Sequence, residues 1–213
     1  MNELVLPEPD NGVVLRLSKV PNLLVRGDRP AARLQLEPLI GVTCVTQPIV
    51  KSPACEQGAW PAGLGTLTRS PPTQTIATVY VRDRFTCRYC ARRTLPTQTL
   101  RLISAAFPHE FPFHPNWRRD VAPRAYWDIS TSVDHVRAVA LGGDVKDPAN
   151  LATACARCQY QKSSRPLEIL GWSLISRQQA GAASSTSTPR SGPQRAAQMR
   201  ATTKVGSAHS QRP

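Results

Sequence analysis

Two short cysteine pairs constrain this chain more than any other feature. They are Cys87-x-x-Cys90 and Cys155-x-x-Cys158, far apart in sequence. Each spacing presents two thiolates on one tight turn. Four thiolates together suit a tetrahedral structural zinc ion, with no coordination position left for water. A fold obeying this constraint must bring two distant stretches to one point. The chain has six cysteines, and Met1 to Pro9 carries two acids and no apolar core, so no secretory signal is expected. A reducing, cytoplasmic setting follows, where such pairs read as metal ligands and not disulfides. The remaining cysteines, Cys44 and Cys55, read as buried free thiols. No run of about 18 apolar residues is present, which excludes a membrane-spanning helix.

Between the pairs lies a second group of chemically capable residues. Asp134 and His135 end a β-prone approach. Gly142-Gly143 and Pro148 mark a loop, and Asn150 opens the apolar run Leu151 to Ala154. Cys155 and Cys158 close that run, and Lys162 stands just beyond. Imidazole can be neutral at pH 7 and can take a proton from water. A carboxylate is a hard oxygen ligand for a divalent cation.

These elements in this order resemble the HNH nuclease family in its four-cysteine form. The matching residues are R-D-R-F-T-C-R-Y-C (Arg82 to Cys90), D-H-V (Asp134 to Val136), the glycine pair, N-L (Asn150, Leu151), C-A-R-C-x-x-x-K (Cys155 to Lys162) and P-L-E-I-L-G-W (Pro166 to Trp172). The match spans roughly residues 79–172. The resemblance implies an α+β fold: a small ββα-metal (His-Me finger) nuclease unit, two antiparallel strands and a helix, stapled by the four-cysteine zinc site. It implies His135 as general base, Asp134 as ligand of a catalytic Mg²⁺ or Mn²⁺, and Asn150 as the residue that fixes the loop and orients the histidine. The family's second ligand position, directly after the last cysteine, is His or Asn. Here it is Gln159, a neutral oxygen donor on a longer stem and a weaker ligand. His109 and His114 are alternative ligands in principle. Successive strand residues point to opposite faces, so Asp134 and His135 serve one phosphate only if the strand ends or twists there.

Around this unit the chain divides into three. Residues 1–74 read as an N-terminal extension, mostly irregular. Residues 1–20 suggest a strand or a loose arm, from Val13, Val14, Leu15 and Leu17. Asp28 and Pro30 announce a helix over about 30–36, ended or bent by Pro38. Proline and glycine then crowd residues 41–75, an extended wrapping segment in which Val42–Val45 and Pro48–Val50 offer two β-prone pieces.

The nuclease unit occupies 75–173. Thr, Val and Tyr near residue 75 favour a strand by propensity; the resemblance implies a short helix entering the first cysteine pair. Residues 91–128 are an insertion, with Leu100 to Phe107 at helical spacing. The aromatic residues there read as a satellite core on the ββα unit, or as a DNA-contacting wedge helped by Arg118, Arg119 and Arg124. The first hairpin strand is expected over 129–136 and the second over 150–154, followed by a helix over about 156–163 and another from Pro166 to Leu170, ended by Gly171. Residues 174–213 read as a disordered basic tail; from 177 onward it has six Lys/Arg and no acid.

The net charge of +13 points to an acidic polymer as partner. Lys162, Arg157, Arg165, Arg137 and Arg88, with Arg92 and Arg93, are the expected phosphate contacts. The reading that follows is a metal-dependent endonuclease acting on DNA. Its rival is a zinc-stapled nucleic-acid-binding module without efficient cleavage.

Overall fold

A computed structural model describes residues 11–46, 70–176 and Gln179. The sequence of elements is mixed α and β, with a small antiparallel sheet. Helix α1 runs Gly12–Val25 and helix α2 Arg29–Leu36, followed by a 3₁₀ turn at Glu37–Leu39. Asp28 caps α2 by accepting from the Ala31 N–H at 3.0 Å, with Pro30 in the first turn, as the sequence predicts. Residues 1–20 are neither strand nor arm where they are described. Val14, Leu17 and Val20 fall at helical spacing and are buried together, and this packing overrides their β propensity.

Helix α3 (Thr73–Arg82) enters the first cysteine pair, and α4 (Thr97–Ala106) follows it. Both begin with the same tetrapeptide, Pro-Thr-Gln-Thr, and in both the proline sits extended just before the first turn. Helix α5 (Arg124–Ile129) starts the same way, behind Pro123. Strand β1 (Thr131–His135) pairs antiparallel with β2 (Leu151–Cys155), placing Asp134 opposite Ala152 and His135 opposite Leu151. Helix α6 (Ala156–Lys162) follows β2 without a break. The expected helix at Pro166–Leu170 is a run of turns instead: the N–H groups of Leu170 and Trp172 both reach the Leu167 carbonyl.

Two cores result. The first joins α1 and α2 to α4 and α5, burying Phe107, Phe111 and Tyr126 among aliphatic side chains. Phe111, Phe113 and Trp117 surround the Tyr126 ring at 5.5 to 5.9 Å. The aromatics of the insertion build a core apart from the cysteines, shared with the N-terminal helices, and Trp127 packs edge-on against Tyr160 of α6 at 5.2 Å. The second core holds the four cysteines with Tyr89, Ala154, Leu170 and Trp172. Ile175 and Arg88 exchange bonds at its edge, so the chain stays attached past residue 173. The cores meet where Leu95 bridges Ser130 and the Thr131 hydroxyl donates to Thr94.

Residues 1–10, 47–69 and nearly all of 177–213 lie outside the described part, and with them Cys55, the β-prone piece at 48–50 and the basic tail. Among the described residues, no helix is long and apolar enough to cross a membrane.

Candidate metal centre and histidine site

The first cysteine pair lies in a tight turn after α3. The Cys87 N–H donates to the Arg92 carbonyl at 2.8 Å, and Ala91 closes the turn at φ +60°. The second pair straddles the start of α6, where the Cys155 sulfur accepts from the Cys158 N–H. All four sulfurs lie within 4.8 Å of one another, and all four residues are buried. Zinc at its usual ~2.3 Å from each sulfur needs them roughly 3.8 Å apart; Cys90 and Cys155 stand at 3.9 Å. The cluster can therefore hold a metal such as zinc. Burial pushes the Cys87 thiol up, but hydrogen bonds from Cys155, Cys158 and Cys90 outweigh this and hold it well below the ordinary thiol range. The bond with Cys158 lowers Cys155, but those with Cys87 and Cys90 and its burial outweigh it and push the thiol up; Cys158 is pushed up by its bonds with Cys155, Cys87 and Cys90. Burial opposes charge on Arg92, yet Asp128 and the sulfurs of Cys90, Cys155 and Cys158 outweigh it, so a fixed cation faces the cluster.

Asp83 ties the knuckle to the hairpin, a role the sequence reading missed. It is buried, and Arg82 grips it with two bonds of 2.9 Å while Arg88 adds one of 3.2 Å. Its other partner is the Thr153 N–H in the centre of β2. Burial raises this carboxyl, and the Arg82 and Thr153 bonds reverse the effect, leaving it below the usual carboxylate range.

His135 ends β1 and is half-buried. Its Nε2 lies 3.2 Å from the Val145 carbonyl oxygen. A carbonyl only accepts, so this bond assigns the ring proton to Nε2 and leaves the lone pair on Nδ1. The loop supplying Val145 is braced by Asn150. Its Oδ1 accepts from the Arg137 N–H at 2.9 Å, and its Nδ2 donates to the carbonyls of Arg137 and Asp144. Gly143 is needed for closeness: a Cβ there would stand 1.9 Å from the Arg137 oxygen. Asn150 thus holds the loop that holds the imidazole.

Asp134 faces the other way. It is 7% exposed, and its Oδ2 accepts from the Tyr89 hydroxyl at 2.6 Å and pairs with Lys162 Nζ at 3.1 Å. Burial pushes its carboxyl above the usual range, against the pull of Lys162 and Tyr89. Two donors thus occupy Oδ2, and that oxygen would have to give them up to ligate Mg²⁺ or Mn²⁺. Gln159 donates from its amide Nε2 to the Val133 carbonyl, at 2.8 Å. Among the described residues, the cysteine cluster is the one group of three or more His, Cys, Asp or Glu side chains close enough for a shared ion.

Most of the expected phosphate contacts are inside. Lys162 is 0% exposed, and Arg88 and Arg165 are buried as well. Arg157, largely covered, and buried Arg92 share Asp128 with Arg124. In place of the expected phosphate contacts, Lys162 and Arg88 pair with Asp134 and Asp83, Arg165 donates to the Gln161 carbonyl, and Arg92 and Arg157 face Asp128. Arg137 is exposed, as is Lys146 on the same loop.

No family model, curated protein or solved structure matches this chain.

Proposed function

We propose that this protein is an HNH-type endonuclease hydrolysing phosphodiester bonds in DNA, with His135 as general base. The observation that carries the reading is the His135 ring, held through Nε2 by the Val145 carbonyl so that Nδ1 is the proton acceptor. In the reaction, water gives a proton to Nδ1 as its oxygen bonds to phosphorus. The bond from phosphorus to the 3′-oxygen breaks, leaving a 5′-phosphate and a 3′-oxyanion that takes up a proton from solvent to become the 3′-hydroxyl. Asn150 keeps the loop and imidazole in register, and Arg137 and Lys146 are exposed cations on that loop, beside the exposed acids Asp144 and Asp147. The net charge of +13 supports a polyanionic partner.

Purified protein incubated with supercoiled plasmid and Mg²⁺ or Mn²⁺ tests this. Nicking is expected, and His135→Ala should slow it about 100-fold or more. Uncut plasmid, or equal cutting by the variant, defeats the nuclease reading.

A second reading has an observation of its own. With Asp134 closed off by Lys162 and Tyr89, a zinc-stapled nucleic-acid-binding module without cleavage fits the same fold. A salt-sensitive gel shift without nicking would select it.

A further inference from the structure

A fully buried lysine is expensive unless its charge is matched. Lys162 meets that demand with the Asp134 carboxylate at 3.1 Å and the His135 carbonyl at 2.8 Å. The Tyr89 hydroxyl donates to the same Asp134 oxygen at 2.6 Å. The origins of the three side chains matter more than their number. Tyr89 lies between Cys87 and Cys90, and Lys162 lies one helical turn past Cys158. Asp134 is the residue before His135. Each cysteine pair therefore sends one arm to a single carboxylate oxygen, and the lysine arm also holds the backbone of the imidazole's own residue.

We infer that Tyr89, Asp134 and Lys162 form a buried brace through which the cysteine cluster sets the position of His135, and that Asp134 is a positioning residue and not the ligand of a catalytic ion. The inference deepens the nuclease reading and rests on it for the role of His135. The two roles for Asp134 differ in what they require. A ligand role through Oδ2 would require that oxygen to release both donors. A brace requires the oxygen to stay where it is, and makes Lys162 as important as Asp134.

The test uses the full zinc-loaded chain with ¹³C-labelled histidine. Four proteins are compared with wild type: Asp134→Asn, Lys162→Met, Tyr89→Phe and the Asp134→Asn/Lys162→Met pair. As a brace, both charge-removing single variants shift the His135 ring signal and lower Tm by about 10 °C, because each strands a buried partner. The double variant loses less than the sum of the two. Tyr89→Phe keeps the fold with a smaller shift of the same signal, so it and the double variant decide the matter if the single variants fail to fold. Zinc content stays unchanged, and broadening of the His135 signal by added Mn²⁺ is the same in Asp134→Asn as in wild type. Where plasmid is nicked, Asp134→Asn and Lys162→Met both lose about 100-fold in turnover with unchanged Mn²⁺ dependence. The brace is overturned if Asp134→Asn removes the Mn²⁺ effect while Lys162→Met leaves it and the ring signal as in wild type. Ring signals and Tm unmoved in all four variants overturn it equally. A wild type that does not nick defeats the nuclease reading alone, because the spectra and Tm still decide the brace.

Discussion

The two cores of this molecule are held by different physics. The helical core buries Leu17, Leu36, Leu100, Phe107, Phe111 and Tyr126, and the Ser104 and Tyr126 hydroxyls pair inside it at 2.7 Å. The core beneath the hairpin contains few large apolar groups. Its centre is four sulfurs, and around them stand the buried ionic groups Asp83, Arg88, Asp134 and Lys162. Removal of water from apolar surface drives the first. The second is too small to be carried by apolar burial alone; four sulfurs able to hold a metal, and matched charges, stand in its place. The candidate site sits on the second, where position is fixed by directional bonds.

If this contrast is right, chelation has the largest effect. Structural zinc sites contribute about 10–16 kcal/mol of apparent binding energy. Stripping the metal should release the amide hydrogens of Ala152 to Ala154 to exchange, while those of Leu100 and Ile103 in α4 stay protected. Hydrogen exchange with mass spectrometry reads both at once. Equal loss of protection in both cores breaks the comparison. Phe111→Ala attacks the other side. Truncating a fully buried Phe costs about 3–5 kcal/mol, and the urea midpoint should fall accordingly while one metal per chain is retained. Loss of the metal in that variant means the cores do not stand apart. The smallest effect sharpens the picture locally. Ala91 holds φ +60° in the first cysteine turn. Ala91→Gly should raise stability by about 1 kcal/mol, since glycine adopts that conformation without steric cost. The gain should show as slower zinc release to a chelator.

Much of the second core was legible in the chain. Cysteine spacing predicts the cluster, Asp28 and Pro30 predict α2, and the glycine pair with Asn150 predicts the loop. What stayed hidden is instructive. The first helix looked β-prone because Val13, Val14 and Leu15 are adjacent, and the helical spacing of Val14, Leu17 and Val20 carries meaning only once a partner surface exists. Lys162 and Arg88 read as phosphate contacts because nothing local to a cation reveals a carboxylate that lies 28 or 5 residues away but closes on it in space. Pro166 promised a helix that the chain bends into turns to seat Leu170 and Trp172 against the sulfurs. The repeated Pro-Thr-Gln-Thr opens both α3 and α4 and is a local helix-start pattern.

The join between the cores has a topological consequence. Leu95 donates its N–H to Ile129 and accepts from Thr131, at 2.8 and 2.9 Å. The excursion between them, which contains α4 and α5, therefore departs and returns at a single doorway in the hairpin unit. Such a loop closed by its own neighbours is a place where a lineage can splice in, lengthen or exchange a whole segment without disturbing the order of the strands.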